Sequence, residues 1–176
     1  TLIIENLLRD SQSHYPISNV YSRHIVSSSF INLLGLLISF FSFLKIKNRP
    51  LITRLLSELS VSFSVYRLAK NFYCQLVFYR LLFRFYHPKA IFVYSFYTKQ
   101  AIVIAANNYK IPVIEVQHGY IESDLFSYCY PNSIPQSCFP SYLLTFGHHI
   151  KECFETTSTR ISSQNIYPIG HYRLAS

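Results

Sequence analysis

Residues 88–119 read PKAIFVYSFYTKQAIVIAANNYKIPVIEVQHG, and this stretch decides the fold. Ala90–Tyr94 (AIFVY) is a short apolar run rich in β-branched and aromatic residues, which predicts a buried strand. Thr98–Tyr109 carries Ala101, Ile102, Ala105 and Tyr109 at helical spacing, and Pro112–Val116 (PVIEV) is a second strand. Continuous apolar strands joined by a helix of this length pair in parallel through a right-handed crossover. The segment reads as a βαβ unit, in a sheet expected to be covered by helices.

The pattern repeats downstream. Tyr142–Phe146 (YLLTF) is a third strand ending at Gly147, His148–Thr156 a short helix, and Asn165–Ile169 (NIYPI) a fourth strand ending at Gly170. The expected class is α/β, a Rossmann-like parallel sheet with flanking helices. Ligands of open α/β sheets bind outside the carboxyl ends of the strands. The residues that follow each strand are therefore the candidates: Ser95 and Phe96, then Gln117-His118-Gly119-Tyr120, then Gly147-His148, then Gly170-His171. Three of the chain's 4 glycines fall there, where a sharp turn or close backbone approach would need them.

His118 directly follows the second strand, so its imidazole is expected to project from the sheet edge. With an ordinary pKa of about 6.5, a histidine there suits removal of a proton from an attacking hydroxyl. The competing reading is that His118 only hydrogen-bonds loop backbone. No H-x-x-x-H or H-E-x-x-H spacing occurs, so no metal is expected. Cys74, Cys129, Cys138 and Cys153 form no C-x-x-C pair, which points to a reducing cytoplasm rather than a disulfide scaffold.

Upstream the chain is apolar and basic. Ile25–Leu44 is uncharged and long enough to cross a bilayer as a helix, but Ser28, Asn32, Gly35, Ser39 and Ser42 draw one polar or small stripe along it. That stripe favours a helix packed on protein or lying in the membrane interface over a transmembrane span. Val61–Tyr86 predicts a second long helix, with Leu68, Phe72, Leu76, Tyr79 and Phe83 on one face and two basic pairs, Arg67 with Lys70 and Arg80 with Arg84. These arginines and lysines are either simply solvated or a surface for anionic lipid or phosphate. Nucleic acid is not expected, because no RNP, KH or Gly-rich signature accompanies them. From Lys45 to Lys110 there are eleven basic residues and one acid, Glu58, within a chain whose net charge is +8. With 50% hydrophobic and 14% charged residues among 176, disorder, collagen and coiled coil are excluded.

The run from Pro88 to Ile121, then YCYP at 128–131, FPSYLLTFGHHIKE and NIYPIG, resembles the amino-terminal half of bacterial GT-B glycosyltransferases and related surface-polysaccharide biosynthesis proteins. The resemblance covers roughly residues 88–170. It implies a cleft between two Rossmann-like lobes, with Gln117, His118, Gly119, Tyr120 and Glu122 on one side, Thr145, Phe146, Gly147 and His148 on the neighbouring strand end, and Tyr128 with Tyr130 and Pro131 shaping the loop between. His118 would be the base. The family's loop carries another His and a Gly before its first Tyr, where this chain has Leu125-Phe126-Ser127, so a loop role in acid–base chemistry is in doubt. Glu122 and Asp124 are nearby carboxylates that could substitute, or solvated loop acids.

On this resemblance residues 1–87 form a helical part, 88–164 the Rossmann-like part of the same domain, and 165–176 the start of an absent donor-binding domain. The chain is then the acceptor half of a transferase, a fragment inactive alone, with no cofactor. Its partners would be a nucleotide-sugar held by the absent domain, a lipid-linked or glycan acceptor, and the anionic inner leaflet of the membrane, where it would sit peripherally on the cytoplasmic side. Two alternatives stay open: half of a CDP-glycerol-type glycerophosphotransferase, and a non-catalytic membrane-associated remnant.

Overall fold

The computed structural model describes residues 46–121, 128–157 and 159–170, together with the backbone of strands β1 (Leu2–Glu5) and β2 (His24–Ser27). The chain divides into two compact units, Thr1–Phe78 and Tyr79–Ser176.

In the first unit β1 and β2 pair in parallel, with Leu2 opposite His24 and Glu5 opposite Ser27. Residues 1–87, read from the sequence as a helical part, thus also contain two short strands. LIIE and HIVS are short and rich in β-branched side chains, which favour extended backbone. The apolar run 25–44 therefore begins as a strand, and its remainder lies outside the described residues. Among the described residues no helix is long and apolar enough to cross a membrane.

Helix α1 (Arg49–Glu58) starts with a proline in its first turn. It closes in a Schellman motif: Ser60 takes φ 55°, Ser60 N–H donates to Ser57 O (3.1 Å) and Val61 N–H to Leu56 O (2.9 Å). That closure is why the helix expected from Val61 starts four residues later. Helix α2 (Val65–Phe85) is capped by Ser64, whose Oγ accepts the Arg67 N–H at 3.2 Å. Leu76, Tyr79 and Phe83 are buried, whereas Leu68, on the same face nearer the helix start, is 60% exposed. At 100° per residue Arg67, Lys70 and Arg84 fall on the half of α2 turned away from that stripe, and Arg80 flanks it.

The second unit holds the sheet. Strands β3 (Ile91–Val93), β4 (Val113–Val116), β5 (Tyr142–Thr145) and β6 (Ile166–Pro168) lie in the order β3-β4-β5-β6, all parallel. Every strand expected from the sequence is present. β6 pairs with β5, so Ile166–Pro168 belong to this sheet. Helix α3 (Gln100–Asn108) joins β3 to β4, packs on β4 and on the turn at Gln136–Cys138, and buries Ala101, Val103, Ala105 and Ala106. It too ends in a Schellman motif, with Lys110 at φ 57°. Helix α4 (His148–Thr156) lies against β5 and β6, burying Ile150 and Phe154.

Register sorts the strand residues by face. Val93, Glu115 and Leu143 share one side, buried under the connecting helices, and Thr145 and Ile166 lie with them. On the other side Phe92 is 64% and Tyr167 49% exposed. The expectation of continuous strands buried on both faces is thus corrected: burial alternates along β4 and β5. A strictly sequential strand order with right-handed crossovers places all the connections on one face.

Candidate functional site

The site is built at the carboxyl ends of β3 and β4. Two residues after β3, Ser95 adopts φ 50° and ψ 67°, a left-handed conformation that costs a non-glycine residue roughly 1–2 kcal/mol. The surroundings over-determine it. Phe96 is fully buried, its ring 5.7 Å from Tyr128, 5.9 Å from Phe139 and 6.4 Å from Tyr130, and Ser95 O accepts from both Thr98 N–H and Thr98 Oγ1 at 2.9 Å. Backbone strain held by a rigid setting concentrates at functional positions.

His118, two residues after β4, is exposed at the sheet edge as expected. Its Nε2 lies 2.7 Å from Ser95 Oγ, and Tyr94 meets its ring edge-on at 6.5 Å. The tautomer decides which nitrogen is free: with Nε2 protonated it donates to Ser95 and leaves Nδ1 as base, and with Nδ1 protonated Nε2 accepts the serine hydroxyl. A His held by a side-chain hydroxyl rather than by loop backbone departs from the blander sequence reading.

Gln117 is buried, with both ends of its amide hydrogen-bonded. Its Oε1 accepts the Phe146 N–H (2.7 Å) and its Nε2 donates to Gly119 O (2.9 Å), which ties the end of β4 to the end of β5. Its amide is thus committed to the scaffold, unlike the open cleft position expected for it. Thr145 is likewise buried, with Oγ1 donating to Gly147 O at 3.1 Å. Tyr128 is buried among Phe96 and Phe154 instead of shaping an open loop. His148 opens α4, exposed, and Tyr120 is 87% exposed. Glu122 and Asp124 lie outside the described residues. Of the described glycines only Gly170 (φ 82°) needs its conformational freedom, because Gly119 and Gly147 have open space where a Cβ would stand and no positive φ.

Sequence reasoning passed over Glu115. It sits on the buried face of central strand β4 at 1% exposure, with Oε1 accepting the Phe96 N–H at 3.1 Å and the Tyr128 hydroxyl also hydrogen-bonded to it. Among the described residues Oε2 has no hydrogen-bond partner. Burial pushes its carboxyl up to about 7, against the lowering effect of those two hydrogen bonds, and burial together with the Glu115 charge drives the Tyr128 hydroxyl upward. The available signal was a lone carboxylate inside an otherwise apolar strand.

A folded-state value above the unfolded one means the native chain holds this proton while the unfolded chain has lost it. The stability this contributes is complete below about pH 4.5 and is lost as pH rises through 7, an effect of about 3 kcal/mol. Urea unfolding at pH 5 and pH 8 should show that fall, and Glu115→Gln should flatten it. A slope unchanged in the variant would assign the pH dependence elsewhere.

No family model, curated protein or solved structure matches the chain. The assignment of chemistry thus depends on what the Ser95–His118 edge can do: present an accessible imidazole, oriented by a hydroxyl, on a rigid sheet end.

Proposed function

We propose that this chain is the acceptor-binding half of a glycosyltransferase, in which His118 takes the proton from an acceptor hydroxyl as that oxygen attacks the anomeric carbon of a nucleotide-sugar. The observation that carries it is the exposed His118 ring at the end of β4, 2.7 Å from the Ser95 hydroxyl at the end of β3. A base must be accessible to its substrate and held in one orientation, and this pair meets both demands. With Ser95 donating or accepting at Nε2, the other ring nitrogen, Nδ1, is left to meet an incoming hydroxyl. The diphosphate leaving group departs with the sugar's former bonding pair, toward a donor lobe outside this sheet.

The membrane side of the proposal draws on α1 and α2. Leu51, Leu55 and Leu59 recur one turn apart and are exposed, and Arg67, Arg80 and Arg84 are exposed on α2. Exposed leucines and exposed cations each suit an anionic lipid surface, where each basic group contributes about 1 kcal/mol. Lys70 is partly engaged instead, 5.8 Å over the Tyr66 ring that Arg49 approaches at 5.2 Å.

A polyprenyl-diphosphate-linked sugar offered in anionic vesicles is expected to shift the NMR signals of the His118 ring and of Ser95, with vesicle binding weakening as salt is raised. Free nucleotide-sugar should leave them unmoved, because its lobe lies elsewhere. Equal shifts with both ligands, or none with the acceptor, would overturn the acceptor-half assignment. A shift produced only by CDP-glycerol would favour the glycerophosphotransferase alternative.

A further inference from the structure

We propose that Glu115 is the positioning residue of this site: its carboxylate holds the Ser95–Phe96 peptide so that the Ser95 hydroxyl meets His118. The inference deepens the function proposed above, since it takes His118 as the group whose orientation matters.

The chain of contacts is short. Glu115 Oε1 accepts the Phe96 N–H at 3.1 Å. That amide belongs to the peptide whose orientation is set by the ψ of Ser95, so the hydrogen bond restrains the left-handed turn directly. The turn in turn carries Oγ to 2.7 Å from His118 Nε2. Glu115 itself never touches His118 in this arrangement and acts across the buried face of the sheet. A carboxylate is a costly way to hold one amide in an apolar interior. The Oε1 oxygen accepts the Phe96 N–H in either protonation state of the carboxyl group, which is why a glutamine carbonyl is expected to replace it.

The Phe96 amide also bears on the chemistry. In a strand-to-helix turn that displays a nucleophilic serine, the N–H following the serine is free to stabilise an oxyanion. Here Glu115 occupies it. Ser95 is accordingly an orienting hydroxyl for His118 and lacks that oxyanion donor for acyl transfer.

The test reads the ring nitrogens of His118 by ¹⁵N NMR on the 176-residue chain, with His118→Gln used to assign the signal. Ser95→Ala should move the His118 pair to new positions and leave the other histidines in place. Glu115→Leu, which removes the acceptor, should move them to the Ser95→Ala positions, and Glu115→Gln, which keeps a carbonyl for the Phe96 N–H, should restore most of the wild-type signature. A Glu115→Leu spectrum with wild-type His118 positions would overturn the proposal, as would a Ser95→Ala spectrum unchanged from wild type.

If the leucine variant does not fold, the wild-type linkage is read from the Phe96 amide proton in the His118→Gln background. That proton should shift as the Glu115 carboxyl titrates; among the described residues the titratable side chain facing the carboxyl is Tyr128, which stays protonated there, with Tyr97 and Tyr130 beyond it. No shift of the Phe96 proton would overturn the proposal. None of these readouts needs a donor or acceptor. Failure of the transferase assignment would therefore appear as absent ligand shifts with the Glu115 relay intact, and failure of the relay as unchanged nitrogens in a chain that still binds acceptor.

Discussion

Alanine in place of His118 is expected to lower sugar transfer by about 10²-fold or more, with kcat falling and KM for the acceptor little changed. The reason is geometric. The ring is exposed at the sheet edge, its buried neighbours Gln117 and Thr145 are committed to the scaffold, and no carboxylate among the described residues stands beside it to take over the proton. Loss of a residue that only bound acceptor would instead raise KM and spare kcat. The measurement is steady-state transfer by the assembled enzyme from a nucleotide-sugar to a lipid-linked acceptor, wild type against variant. Turnover unchanged in His118→Ala would remove the imidazole from the mechanism.

Truncating Phe96 to alanine should destabilise the second unit by about 3–5 kcal/mol, the range for deleting a buried phenyl ring. Phe96 is fully buried and its ring is within 6.4 Å of four other aromatic rings, Tyr97, Tyr128, Tyr130 and Phe139. For a unit of this size each kcal/mol lowers Tm by roughly 4–8 °C, so a fall of about 15 °C or more is expected by differential scanning calorimetry. Phe96→Leu keeps most of the volume and should cost less than about 1.5 kcal/mol. If both variants melted alike, the ring would not be the anchor that the packing implies. Because Phe96 follows Ser95 directly, the alanine variant should also release the left-handed turn and separate Ser95 from His118.

The strands of the second unit were legible because each is a brief apolar run bounded by proline, glycine or a polar cluster. Tyr142–Thr145 and Val113–Val116 lost only a terminal residue in the structure, and His148–Thr156 forms the helix that its spacing predicts. His118 was legible for the same reason, since its position depends only on where β4 ends. Glu115 was not. Its burial is produced by Phe96, nineteen positions earlier, and by Tyr128 beyond the strand, and no local window contains those partners. Residues 61–64 misled in a different way: their hydrophobicity continues the helical pattern, while the turn at Ser60 that delays the helix is a backbone conformation with no glycine to announce it. The exposed face of the sheet was missed because Phe92, Val116 and Leu144 look the same in sequence whether one or both sides are covered.

The sequential order of β3, β4, β5 and β6 bears on how the chain is assembled as it is made. Each strand hydrogen-bonds the one synthesised just before it, with Val113 opposite Ile91, Tyr142 opposite Ile114 and Ile166 opposite Leu143. No strand has to wait for a later one to be inserted between two that are already paired. As each emerges from the ribosome its docking edge is already present, so the sheet can grow by accretion, and the loops closed at each step stay short. The Ser95–His118 edge belongs to the first pair in that order, complete once β4 has joined β3.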